Sequence, residues 1–164
     1  MATFPEGQIV AVDGDNSVVA VSSCMRFHSK RFDPLEKWAV VTAYGTIRTH
    51  ESGGDALYGV DTMVSPERRC RGIGTSLMVA RLDLARALGV RMIRTGARLA
   101  GYRLVAHRLT PVRYVTLVEA RRITDPSLSF LLRFGYRVKG VAEEYIERDA
   151  ESAGCAAILE LELS

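Results

Sequence analysis

Residues 64–75 of this 164-residue chain read VSPERRCRGIGT, and a helical pattern from Ser76 to Leu88 follows directly. The apolar run 57–64 before it gives way to a proline and then to a basic turn that holds Gly72 and Gly74. A strand therefore feeds a loop that opens a helix. Unpaired N–H groups and the helix dipole favour anions at such a position, and the two glycines leave space for a phosphate. The stretch predicts a phosphate-binding loop.

The glycine spacing excludes two common nucleotide-binding loops. A Walker loop needs four residues between its glycines, followed by Lys and Ser or Thr, and a dinucleotide fingerprint needs a glycine where Leu77 stands. The pattern R-x-x-G-x-G at residues 69–74, after V-x-P at 64–66, resembles motif A of the GCN5-related N-acetyltransferase (GNAT) superfamily. In that superfamily the motif holds the diphosphate of acetyl-coenzyme A (acetyl-CoA). The alternative is a basic turn in which the two glycines have no ligand-binding role. The V-x-P sequence before the turn and the amphipathic helix after it disfavour this alternative.

Composition is that of one globular domain spanning residues 1–164. The chain is 48% hydrophobic, yet no stretch approaches the ~18 to 20 apolar residues of a membrane span, and the N-terminus lacks a secretion signal. We therefore expect a cytoplasmic protein without a membrane partner. Cys24, Cys70 and Cys155 are odd in number and scattered, which predicts free thiols and no metal site.

Charge is unevenly distributed along the chain. Residues 67–122 contain 13 arginines against three acids, a net charge of +10, whereas residues 143–164 contain seven acids against one arginine, a net charge of −6. The positive charge of this central segment favours binding of a polyanionic cofactor. The arginines follow helical spacing and are not interleaved with aromatic residues, so nucleic acid is not the expected partner. The sequence leaves open whether the chain forms a homodimer.

Hydrophobic patterning predicts alternating strands and helices. In the helix 73–88, Ile73, Leu77, Ala80, Leu84 and Leu88 are expected to form the apolar side, while Arg81 and Arg86 face out. Further helices are predicted at 111–123 and 125–134, and strands at 8–12, 17–25, 38–47, 57–64, 90–95, 137–146 and 155–163. This order resembles the GNAT acyl-CoA N-acyltransferase fold, an α/β (α+β) fold with a mixed central sheet flanked by helices.

Two further segments are similar to acetyltransferase domains found beside carbon–nitrogen hydrolases. They are the pattern H-x-x-x-G-D-x-L-Y-G at residues 50–59 and the pattern D-P-x-L at residues 125–128. This likeness implies no particular substrate.

The GNAT resemblance implies an acetyl-CoA-dependent N-acetyltransferase and assigns its donor site. The backbone of Thr62, Met63 and Val64 would bind the pantetheine arm as an added strand. Arg69 occupies the Gln/Arg position of motif A, Arg71 would neutralise a phosphate, and Arg68 is expected to be a solvated charge. The diphosphate would lie on the backbone amides of Cys70, Arg71, Gly72, Ile73, Gly74 and Thr75.

The resemblance also locates the chemistry of transfer. Cys70 lies inside the phosphate turn at a variable position, so direct transfer of the acetyl group to an amine is expected. Many members carry a tyrosine that protonates the thiolate, four residues before a Gly-aromatic pair, and that position is Leu131 here. Water, Tyr102 or Tyr145 would take over that role, unless these tyrosines are buried structural residues.

Candidates for the catalytic base lie on or before the central strand. Strand alternation is expected to place Tyr58 on the face of Thr62 and Asp61 on the opposite face. Asp61 would accept the amine proton or anchor the amine, unless it is a paired structural carboxylate. His50 or Glu51 would act through water, or be exposed loop residues.

The sequence supports three functional hypotheses. The first is an acetyltransferase acting on a primary amine of a small molecule or a protein. The second is a catalytically weak acyl-CoA-binding sensor or regulatory module, motivated by Leu131. The third, a nucleic-acid-binding domain, is disfavoured by the acidic tail and the intact motif. The sequence does not identify the acceptor.

Overall fold

A computed structural model describes residues 3–163. One six-stranded sheet has the order β1-β2-β3-β4-β6-β5, in which β3 and β4 are parallel and every other pair is antiparallel. Its strands are β1 Gln8–Val12, β2 Val18–Phe27, β3 Ala56–Val64, β4 Met92–Arg98, β5 Arg137–Ala142 and β6 Ala156–Glu162. The helices are α1 Trp38–Thr42, α2 Ile73–Ala87, α3 Pro111–Glu119 and α4 Pro126–Arg133. The mixed sheet and its flanking helices confirm the predicted fold class.

Local signals that fix helix ends are confirmed. Thr110 precedes α3 and its side chain accepts a hydrogen bond from the N–H of Arg113. Asp125 caps α4 in the same way, and Pro follows each cap at the first helical position. Gly89 follows α2 with a positive φ of 63°, which is the conformation that favours glycine after a helix.

The strand predicted over residues 38–47 is wrong. Residues 38–42 form the short helix α1, and the chain then turns through Ala43 and Tyr44, both with positive φ. The apolar, β-branched composition of this segment fits either structure. Packing decides the outcome, because Val41 and Thr42, three and four residues after Trp38, are buried.

The predicted outward direction of Arg81 is also wrong. The buried side chains of α2 are Leu77, Met78, Arg81 and Ala85, and α2 packs against β1, β2 and β3. The stripe that faces the sheet is therefore rotated from the predicted one and includes an arginine. Within residues 3–163, no helix combines the length and apolar character needed to cross a membrane.

Candidate functional site

A cleft opens where β3 and β4 separate. The two strands pair only from Ala56 with Met92 to Gly59 with Thr95. Beyond that pair, residues 61–64 of β3 remain paired with β2 but have no strand of the described chain on their other side. The cleft has a volume of about 1850 Å³ and is lined by both strand ends, the start of α2, part of α4 and the chain after β5.

The loop at the mouth of this cleft presents unused hydrogen-bond donors. The N–H groups of Arg68 and Arg69 donate to the carbonyls of Ser65 and Pro66, and the next bonded N–H is that of Ser76. Between them, the N–H groups of residues 70–75 have no acceptor among the described residues, and no side chain caps α2. Six successive free donors, in the turn before α2 and in its first residues, are typical of a loop that binds an anion.

The two glycines of the loop leave this site open. Gly72 has a φ of 82°, and a Cβ there would have no atom within 4 Å. A Cβ on Gly74 would lie 3.8 Å from the Phe130 ring, which is ordinary contact. Contacts with the rest of the described chain therefore do not exclude a side chain at either position. The space beside Gly72 is open.

The loop arginines have different partners. Arg68 is not the solvated charge that was predicted, because its guanidinium lies 3.1 Å from the carboxylate of Asp13 in the β1–β2 turn. Arg69 Nε donates to the carbonyl of Val64 over 3.2 Å. Arg71 is exposed and joins none of the ion pairs formed within residues 3–163, so it remains available to a phosphate.

A bulge at Val60 changes which side chains of β3 share a face. Cys24 pairs with Gly59 and Ser23 pairs with Asp61, so Val60 is the extra residue. A Cβ on Gly59 would point at Arg81, and Thr62 Oγ1 also accepts a hydrogen bond from Arg81.

Tyr58 precedes Gly59 in the regular part of the strand and therefore lies on the other face from Thr62. The prediction that Tyr58 shares a face with Thr62 is wrong, because simple alternation does not account for the bulge.

Two tyrosines meet at the closed end of the cleft. The hydroxyls of Tyr58 and Tyr145 form a hydrogen bond, and both side chains are buried. Burial raises the pKa of Tyr58 to about 12 and that of Tyr145 well above its usual value. Both are therefore protonated at neutral pH. Tyr145 lines the cleft, whereas Tyr58 stands behind it.

The remaining catalytic candidates are placed differently. Asp61 is exposed and lines the cleft, where its carboxylate accepts a hydrogen bond from the N–H of Thr62 over 2.8 Å. Leu131, at the position where the resemblance places the thiolate acid, also lines the cleft. Tyr102 does not, since it packs on Tyr114 and donates its hydroxyl to the carbonyl of Leu109.

The loop candidates His50 and Glu51 are not brought to the cleft either. His50 stacks on Phe4, and its Nδ1 accepts a hydrogen bond from the N–H of Arg26. The carboxylate of Glu51 accepts one from the N–H of His28. Both residues tie the loop before β3 to the end of β2 and so have structural contacts.

Arg81 is the cleft residue that the sequence interpretation missed. It is 2% exposed, yet it belongs to the lining of the cleft. A signal was present, because Arg81 follows Leu77 by four residues and Met78 by three, and all three lie on one helix face.

Comparison with known sequences identifies relatives over most of the chain. A family model described as "Acetyltransferase (GNAT) family" matches residues 5–109. The uncharacterized N-acetyltransferase YkwB of Bacillus subtilis is 35% identical over 158 residues, which cover 96% of this chain and 69% of that protein. The probable hydrolase YhcX of the same organism is 33% identical over 157 residues, again 96% of this chain. The chain spans only 30% of the length of YhcX.

A solved structure supports the fold independently. The GNAT-like decarboxylase GphF in complex with isobutyryl-CoA superposes with a TM-score of 0.80, covering 99% of this chain and 80% of that one. Sequence identity is 24%, so this similarity establishes the fold and leaves the reaction to be argued from the site.

Proposed function

Since the chain belongs to the acetyltransferase (GNAT) family, we propose that it uses acetyl-CoA to acetylate a primary amine of a small molecule or a protein by direct transfer. The observation that carries this proposal is the run of six N–H groups without acceptors beside an open strand edge. Together they suit a diphosphate followed by an extended amide-containing arm. The GphF relative in fold is a complex with an acyl-CoA, which supports the same kind of ligand.

The donor site extends from the loop into the cleft. We assign the diphosphate to the amides of residues 70–75 and a phosphate charge to Arg71. The edge formed by Thr62, Met63 and Val64 would hydrogen-bond the amides of the pantetheine arm, as a strand does at a sheet edge. The Thr62 N–H is bonded to the Asp61 carboxylate and the Val64 carbonyl to Arg69, so the arm would use the other backbone groups of this edge. Arg69 would shape the turn through its bond to the Val64 carbonyl. This arrangement directs the acyl end towards the fork between β3 and β4.

Asp61 is the residue we assign to the acceptor amine. Bound acetyl-CoA supplies the thioester that an amine attacks, and the attacking ammonium must first lose a proton. The Asp61 carboxylate is exposed to the cleft and has no arginine or lysine partner among the ion pairs of residues 3–163. It can therefore accept a proton, directly or through water, or bind the ammonium.

Tyr145 is the residue we assign to the leaving thiolate. Its protonated hydroxyl lies at the closed end of the cleft and contacts Tyr58. Leu131 offers no proton, so Tyr145 would donate one to the sulfur and regain one from water in the cleft. Tyr102 has no part in this proposal because its hydroxyl is bonded elsewhere.

Free-thiol release tests the proposal. Purified protein is offered acetyl-CoA with a panel of primary amines, and the thiol that appears is measured together with the mass of each amine. Asp61→Asn should lower turnover by the ~10² to 10⁴ typical of lost general-base catalysis and leave CoA affinity unchanged. Asp83→Asn, an exposed aspartate on α2, is the matched control and should retain activity. Turnover of Asp61→Asn within about threefold of wild type at saturating amine would exclude this role for Asp61.

A second candidate is an acyl-CoA-binding module that leaves the thioester intact. Leu131 at the cleft favours it, because a thioester that is not cleaved needs no acid for the thiolate. The GphF domain is named a decarboxylase, so this fold is compatible with chemistry other than amine acylation. Tight binding of CoA with no thiol release from any amine would favour this candidate over the first.

A further inference from the structure

Arg81 is a buried cation that has no carboxylate partner. It joins none of the ion pairs formed within residues 3–163, and its Nε is buried without any hydrogen-bond acceptor. Only neutral groups bind its Nη2, over 2.6 to 3.2 Å: the hydroxyls of Ser22 and Thr62 and the carbonyls of Ser23 and Asp61. Neutral acceptors satisfy hydrogen bonds but leave the charge uncompensated. A buried charge in that state is costly unless an anion completes the site.

The free end of the guanidinium lies at the fork of the cleft. Nη1 makes no hydrogen bond to the described residues, and Arg81 is part of the cleft wall. A Cβ on Gly59 would come within 2.7 Å of Nη1 and within 2.9 Å of Thr95 Oγ1. Because Gly59 has no side chain, Nη1 can lie directly beside its Cα. Gly59 and Thr95 are the last pair before the strands separate, so Nη1 lies where the cleft closes.

The distance from the phosphate loop decides which anion can reach Arg81. Arg81 follows Gly74 by seven residues, which is about 10 Å along the axis of α2. A diphosphate on the amides of residues 70–75 would therefore lie two helical turns away. Nη1 lies beside Gly59, which is five residues before Val64 and therefore about 16 Å from it along β3. A pantetheine arm that follows this edge from the loop would bring its acyl end to that point. This step rests on the function proposed above.

We propose that Arg81 binds a carboxylate at the end of the acyl chain, so that the donor of this enzyme is an acyl-CoA of a dicarboxylic acid. A carboxylate would form a charge-assisted hydrogen bond with Nη1 and would balance the buried charge. A neutral acyl group would leave both the charge and the Nη1 donor unmatched. The donor class is thereby narrowed from any small acyl-CoA to those that end in an anion.

Calorimetry with wild-type protein is the first test. Succinyl-CoA is compared with butyryl-CoA, its neutral counterpart of equal chain length, and glutaryl-CoA is compared with valeryl-CoA. At least one carboxylated thioester should bind tenfold tighter than its neutral partner. Equal or weaker binding of both carboxylated thioesters, with butyryl-CoA still bound, would overturn the inference and leave the proposed function standing. Failure of every CoA compound to bind would instead overturn the proposed function and this inference with it.

Variants on one helix then assign the preference to a residue. Arg81→Met should abolish the preference, so that succinyl-CoA and butyryl-CoA bind the folded variant with equal affinity. Arg86→Met, an exposed position on α2, should keep the preference. A preference that survives in folded Arg81→Met overturns the inference. If Arg81→Met does not fold, a crystal structure of wild type with succinyl-CoA decides: a carboxylate within hydrogen-bond distance of Nη1 supports the inference, and a carboxylate elsewhere overturns it.

Discussion

Replacing Gly72 by alanine separates the role of the loop in binding from its role in folding. Gly72 has a left-handed φ of 82°, and a Cβ at this position would enter open space beside the unbonded amides. Alanine in that conformation costs about 1–2 kcal/mol of folding stability. For a domain of this size, each kcal/mol lowers the melting temperature by about 2–4 °C.

Gly89 provides a matched control for that strain. Its φ is 63°, a Cβ there would also enter open space, and it lies beyond the far end of α2, outside the cleft lining. Gly89→Ala should therefore lower the melting temperature by a similar amount. The two variants share the backbone penalty but only one alters the phosphate loop.

Affinity for CoA should distinguish the two variants. In Gly72→Ala the new methyl group lies in the phosphate space, and relief of the backbone strain would turn the neighbouring amides away. Loss of one charge-assisted hydrogen bond, about 1.5–3 kcal/mol, raises the dissociation constant at least tenfold. Calorimetric titration of CoA into each folded protein measures this difference. Equal CoA affinity in Gly72→Ala, Gly89→Ala and wild type would refute the assignment of the loop to the diphosphate.

Three further changes test other parts of the site and the fold. Arg71→Ala should lower the affinity for CoA by about tenfold or more, because the assigned partners of Arg71 are phosphates, and should change the affinity for truncated pantetheine compounds little. An equal loss of affinity for all these ligands in calorimetry would contradict this assignment. Tyr145→Phe should keep CoA affinity and slow thiol release, and unchanged turnover would exclude Tyr145 as the proton donor. Burial, and to a lesser extent the charge of Arg26, lowers the pKa of His50 below its value in the unfolded chain. As the pH falls below about 6.5, the unfolded chain therefore binds a proton at His50 before the folded protein does. The stability that neutral His50 contributes is then lost. His50→Gln should reduce this pH dependence in denaturant melts, and an unchanged pH dependence would contradict this role of His50.

Local sequence signals predicted most of the elements because their causes are local. Asp125 before Pro126, Thr110 before Pro111 and the glycine after α2 define helix ends through contacts within a few residues. The turn at Gly72 and the start of α2 were predictable for the same reason, since they depend on a glycine with positive φ and on the residues next to it. These features need no knowledge of distant contacts. Phosphate binding by this loop stays a prediction.

Other features depend on partners that are distant in the chain. The segment 38–47 becomes helix α1 and a turn because Trp38 packs on the core and donates its indole N–H to the carbonyl of Val60. Tyr145 reaches the fork only because the chain after β5 returns to Tyr58. Apolar periodicity carries no information about either contact. It therefore predicted a strand for residues 38–47 and did not distinguish Tyr145 from Tyr102.

The error at Tyr58 traces to the bulge at Val60, and the error at Arg81 traces to hydrogen-bond acceptors on β2 and β3. Side chains of a strand alternate between its two faces, and the extra residue in β3 interrupts this alternation. Thr62 therefore lies on the same face as Gly59 and on the opposite face from Tyr58. Asp61 pairs with Ser23 next to the bulge, and Arg81 donates to the carbonyls of both residues. A helical wheel ranks arginine as an outward residue because it cannot include acceptors on neighbouring strands. These acceptors explain why a cation lies inside the protein. Gly59, the last residue of β3 that pairs with β4, leaves room for that cation at the fork, where an acyl group would end.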